Sequence, residues 1–192
     1  MKQVKNLTAV ISILFLIFSC SGEKGGGESE KKPVSGKSAE QEVLSSSSEM
    51  INFGVYFDPE GKKRTITLEK GQSEFKAYVY IKFPVGMEVC AGQWKLLLPD
   101  GLELVNHKST QEVNLSLGNL LHAGIAERYV DPLTGGGALI HTLDLKATAG
   151  LDDARIQIVA GGPDTFLGIA TCEPDFPKKE ASSFVGVVNP TD

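Results

Sequence analysis

The sequence predicts an all-β domain, a two-sheet β-sandwich of about nine strands in a jelly roll, preceded by a disordered linker. Three observations carry this. Apolar and polar residues alternate with period two through most of the chain after residue 50; glycine, proline and aspartate turns separate these runs; and only "NLSLGNLLHAG" (114–124) reads as a helical turn.

Alternation is clearest in "EFKAYVYIKF", where Phe75, Ala77, Val79, Ile81 and Phe83 fall on one face and Lys76, Tyr78, Tyr80 and Lys82 on the other. The first set is a core register. In "GQWKLLLP" the same period puts Trp94, Leu96 and Leu98 inward and Gln93, Lys95 and Leu97 outward. "LPDG" then turns the chain and "LELVNH" resumes it. Further strands are expected at "INFGVYF", "RTITL", "GIAERYV", "ALIHTLDLKA", "ARIQIV", "FLGIATC" and "SSFVGVV". That number of short strands suits two packed sheets.

The segment before this domain has a different physics. Lys2 and Lys5 precede the uncharged run from Leu7 to Phe18, the n-region and h-region pattern of a secretory signal. Those twelve residues fall short of the roughly 20 needed to cross hydrocarbon. The residues "IFSC" that follow resemble the lipobox of bacterial lipoproteins, with Ile17 aliphatic, Ser19 small and Cys20 at the acylated position. That resemblance implies a signal peptide over 1–19, lipid attachment at Cys20 and a protein held at the membrane of the bacterial cell envelope. The alternative is a conventional cut near Ser19 that leaves Cys20 a spare thiol. Residue 21 is Ser rather than the Asp that retains such lipoproteins in the inner membrane, so an outer-membrane location is expected.

Residues 20–48 are built from Gly, Ser, Glu and Lys and hold almost nothing that fills a core, so they read as a linker. As a flexible coil it spans on the order of 30 Å. The sandwich then occupies 49–192, the size of one ordinary domain.

Charge and cysteine content narrow the partners. The net charge is −5, and it becomes more negative once Lys2 and Lys5 are removed, so nucleic acid is not an expected partner. Beyond Cys20 the only cysteines are Cys90 and Cys172, with no neighbouring histidine to supply metal-ligand spacing. In an oxidising compartment such a pair forms a disulfide. The alternative is two buried free thiols.

No catalytic set is visible. His107, His122 and His141 lie in separate segments, and no serine sits in a nucleophile elbow. His141 shares a register with Leu139, Leu143 and Leu145, which predicts a hydrogen-bonded, half-buried side chain. Asp152 and Asp153 read as turn residues, Gly135 to Gly137 lack the Lys of a phosphate loop, and no acidic run has calcium-loop spacing. An enzyme, a metal site and a cofactor are therefore not expected.

The order "AGQWKLLLPDGLELV", a polar loop, "LSLGNLL", "GGGALIHTLDLKATAG" and "ARIQIVA" resembles a cohesin domain over about 74–188. The shared features are a glycine before an aromatic residue, a bend with Asp and Pro, an aliphatic strand carrying "LEL", and a glycine-rich entry into a long alternating strand. The resemblance implies a nine-stranded jelly roll akin to carbohydrate-binding modules, with a dockerin-like module or other envelope protein as partner, bound through one sheet face. Gln93 stands where many members carry an acidic residue. Tyr78 and Tyr80, with Gln93, Lys95 and Leu97, are the candidate partner-binding residues, because tyrosines bring large contact area at low entropic cost. Polysaccharide is the second candidate ligand, and Trp94 in the core register leaves tyrosines to stack on sugar.

Overall fold

The computed structural model describes residues 50–162 and 164–191; the signal peptide, Cys20 and the linker lie outside the described residues. Thirteen strands appear among them: β1 Asn52–Tyr56, β2 Thr65–Ile66, β3 Glu74–Lys82, β4 Val89–Leu97, β5 Leu102–Ser109, β6 Val113–Asn119, β7 Gly124–Leu133, β8 Gly137–Ala147, β9 Ala154–Val159, β10 Gly168–Thr171, β11 Lys178–Glu180, β12 Ser182–Phe184 and β13 Gly186–Val188. This exceeds the expected nine because the stretch read as a helical turn forms β6, Lys178–Glu180 adds β11, and "SSFVGVV" divides into β12 and β13.

They form two sheets. One has the order β12-β1-β3-β8-β5, and the other has β11-β10-β4-β9-β13-β2 with β7 on β4 and β6 on β7. Pairing is antiparallel except for β1 with β12 and β13 with β2. At the C-terminus the chain crosses between sheets, since β12 pairs in the first and β13 pairs β9 in the second. The first residue of β13 is small for a reason: a Cβ on Gly186 would stand 2.9 Å from Val55.

The predicted register is the observed one. Phe75, Ala77, Val79, Ile81 and Phe83 are buried, as are Trp94 and Leu96, and they meet Ile140, Leu143, Leu145, Ile156 and Ile158 between the sheets. Truncating any one of the fully buried aliphatic residues to Ala costs about 2–5 kcal/mol.

"NLSLGNLLHAG" is not a helical turn. It forms most of β6 and the hairpin into β7, with Leu115 opposite Arg128 and Leu117 opposite Ala126. Gly118 has φ +101°, outside the helical region, and a Cβ there would strike the Gly124 carbonyl. Leu115 and Leu117 are two apart, which is strand period.

Cys90 on β4 and Cys172 just after β10 form a disulfide, with Cα atoms 5.1 Å apart. The Cys172 amide also donates to the Glu88 carbonyl at 3.1 Å.

Candidate functional site

The expected partner-binding residues divide between the two sheets. Tyr78 and Tyr80 belong to β3, while Gln93, Lys95 and Leu97 belong to β4 in the other sheet, so the strips face outward on opposite sides of the sandwich.

On the β3 side the tyrosines are largely engaged. The Tyr80 hydroxyl donates to the Pro59 carbonyl, and its ring meets Tyr56 edge-on at 5.6 Å. Gly61, at φ +66°, lies flat on the Tyr80 ring, where a Cβ would come within 3.0 Å. Burial pushes the Tyr80 hydroxyl above its ordinary pKa, aided by the charges of Asp58 and Glu60. Tyr78 is half-buried.

The β4 side is built differently. Gln93 Nε2 donates to the Gly161 carbonyl at 2.6 Å and to the Asp164 carboxylate, which also accepts from Lys178. Lys178 first, then Gln93, holds the Asp164 carboxyl below the usual carboxylate range. Gly161 sits against the Lys95 Cβ and Gly162 against the Gln93 side chain, so the segment around them lies tight on the strand. Leu97 is exposed.

Between this segment and β6 runs a groove of about 250 Å³. Small residues, Ala91, Ala126 and Ala170, form its floor, and Leu115 and Leu117 make one wall with Phe166 opposite. The two leucines are 49% and 48% exposed, high for apolar side chains in a strand. Cations rim it: Lys178 lies 5.7 Å from the centre of the Phe166 ring, and Arg128 lies 5.4 Å from that of Phe176.

The core beneath holds a polar pair that the sequence did not announce. His141 Nε2 is 2.8 Å from a Glu127 carboxylate oxygen, and both residues are buried. His141 is fully rather than half buried, its ring edge-on to Trp94 at 5.1 Å and stacked with His107 at 5.7 Å. Among the described residues no serine hydroxyl hydrogen-bonds to a histidine, and no group of three His, Cys, Asp or Glu is placed to hold a metal ion. What the surface offers is contact area with a polar rim.

Of the expected residues, Gln93 lines this groove, Lys95 and Leu97 continue its strand, and the tyrosines lie elsewhere. Sequence reading missed Leu115, Leu117, Phe166 and Lys178. For the leucines a signal existed in their spacing of two; Phe166 and Lys178 reach β4 only through tertiary pairing.

No family model matches the chain, and no curated protein matches it. Solved structures do. The cohesin module of a family 33 glycoside hydrolase from Clostridium perfringens ATCC13124 aligns with TM-score 0.53 at 9% identity, over 74% of this chain and 99% of that one. The seventh ScaB type I cohesin from Pseudobacteroides cellulosolvens aligns with TM-score 0.52 at 13% identity, over 74% and 93%. The third ScaB cohesin of R. flavefaciens, in complex with a group 1 dockerin, aligns with TM-score 0.50 at 13% identity, over 75% and 96%. The fold is therefore a cohesin-like β-sandwich, as the sequence order suggested.

Proposed function

We propose that this chain is a non-catalytic binding lipoprotein whose cohesin-like sandwich engages another protein across the apolar groove of the larger sheet. The groove carries the reading. Two half-exposed leucines wall a trough floored by alanines and rimmed by Arg128 and Lys178, and an apolar centre with a charged rim is the anatomy of a protein contact. A solved cohesin of similar fold is in complex with a dockerin, and a dockerin-like module or an envelope component is the corresponding class of partner here.

The polysaccharide alternative needs exposed rings for stacking. Trp94 is buried, as its register implied, and of the two tyrosines left for that role Tyr80 is tied to Pro59 beneath Gly61 and Tyr78 is half-buried. In the same reading Cys20 carries the lipid, the linker lifts the domain from the headgroups, and the anchor belongs to the outer membrane. Several acyl chains hold a protein far more firmly than one, at about 0.8 kcal/mol per buried methylene.

Crosslinking in living cells from positions 95 and 117, with identification of the captured protein, tests the face. The expected result is one dominant protein whose capture is lost in Ala126→Glu; a purified chain that retains polysaccharide and no protein refutes the reading. Fatty-acid labelling of the parent and of Cys20→Ala tests the anchor, and equal labelling of both defeats it.

A further inference from the structure

The chain is acidic overall, yet its outer surface over β1 gathers cations that make no ion pair among the described residues. Lys62, Lys63 and Arg64 are consecutive, and Lys82 approaches from β3. The ion pairs among the described residues join Lys76 to Asp144, Arg155 to Asp153, Lys178 to Asp164 and His141 to Glu127. None involves these four cations.

The buried carboxylate of the same loop is committed to its backbone. Asp58 is 9% exposed and accepts the backbone amides of Lys62, at 2.9 Å, and of Lys63, so it shapes the turn. Glu60 interacts with Asp58, and its charge raises the pKa of the Tyr80 hydroxyl. The loop thus turns Asp58 inward and leaves Lys62, Lys63 and Arg64 outside, with Glu60 exposed beside Asp58.

Tyr56, Gly61, Lys62, Arg64, Lys82 and Phe184 line one shallow recess. Two of its cations are seated on rings, with Lys82 Nζ 4.8 Å from the Tyr56 centroid and Arg64 Cζ 5.2 Å from that of Phe184. A seated guanidinium keeps its edge N–H donors free, and its planar fork matches the oxygens of a phosphoryl group. Holding the cations against rings in advance lowers the ordering cost of binding.

We propose that this recess binds phosphoryl groups, with Arg64 as the bidentate donor and Lys62 and Lys82 supplying point charges. It is separate from the groove on the opposite sheet, so either site stands without the other. Two sources carry this chemistry, a phospholipid headgroup and a soluble phosphate ester.

The test uses the full chain with Cys20→Ala, so that no acyl anchor drives sedimentation, and in that background the Arg64→Gln/Lys82→Gln variant, Lys62→Gln, and Lys108→Gln as a control on β5. Near-ultraviolet circular dichroism checks that each is folded. Probes are inorganic phosphate, followed by NMR shifts, and phosphatidylglycerol-containing vesicles against phosphatidylcholine vesicles, followed by sedimentation. The double variant is expected to weaken binding at least tenfold, Lys62→Gln to weaken it by less, and Lys108→Gln to leave it unchanged. Substitution-sensitive binding to the phosphatidylglycerol vesicles assigns the source to lipid headgroups. Sensitivity confined to inorganic phosphate assigns it to a soluble ester. Equal binding by parent and double variant to both probes, or no binding by either, overturns the proposal.

Discussion

Glu127 of β7 and His141 of β8 meet across the sandwich at 2.8 Å, one from each sheet, with 4% and 1% of their surfaces exposed. A buried pair of this kind is a matched unit. Losing one partner strands the other polar group in the core, at about 3–5 kcal/mol, whereas replacing both by packed apolar residues is often neutral. His141→Leu is therefore expected to lose several kcal/mol in urea unfolding, and Glu127→Met/His141→Leu to lose less than His141→Leu alone. A double variant less stable than both single variants would contradict the pairing.

His107, exposed on β5 yet stacked on His141, is expected to give the fold a pH dependence. Burial lowers its pKa, the neighbouring His141 lowers it further, and Glu127 opposes both. A depressed folded-state pKa means that the unfolded chain takes up the proton more readily. Stability is then complete above the unfolded value, about 6.5, and is lost as pH falls through the folded one. His107→Gln is expected to flatten this part of the stability curve. The carboxylates Asp58, Asp144 and Asp164, with pKa values also held down, act in a lower window that begins near 3.8.

Much of the sandwich was legible because period-two alternation depends on nearest neighbours in sequence. Phe75 to Phe83 could be assigned to the core without knowing what they face. The division of Tyr78 and Gln93 between sheets was hidden, because alternation says which side of a strand a residue takes but not which sheet the strand joins. Strand β11, and the division of "SSFVGVV" into β12 and β13 on different sheets, were hidden for a related reason. Pieces of three or four residues hold together only through partners such as β4, β1 and β9, far away in the chain. In "GIAERYV" the same period puts Glu127 on the face of Ile125 and Tyr129, but nothing local says that His141 of the other sheet is its partner.

The Cys90–Cys172 bond closes a loop across 82 positions of sequence. On the chain-entropy model that constraint is worth about 4 kcal/mol through the unfolded state. Reduction, or Cys90→Ala/Cys172→Ala, is expected to lower the urea midpoint by a corresponding amount, read by fluorescence of the single Trp94. An unchanged midpoint after confirmed reduction would show that the bond does not contribute to stability.

Gly92, the glycine two residues before Trp94, faces the core, where an added Cβ would stand 2.9 Å from the Tyr129 hydroxyl oxygen. Tyr129 is buried, and that oxygen has no hydrogen-bond partner among the described residues. Burial pushes the hydroxyl well above its usual pKa, so it stays neutral. Gly92→Ala overpacks this contact and is expected to cost about 1–3 kcal/mol. Tyr129→Phe removes the oxygen without breaking a bond, and by itself is expected to be near neutral or stabilising. The two sites must then couple. If the Tyr129 oxygen is what an alanine strikes, Gly92→Ala/Tyr129→Phe recovers most of the lost stability in thermal melts. Additive effects would place the strain elsewhere, in the β4 backbone itself.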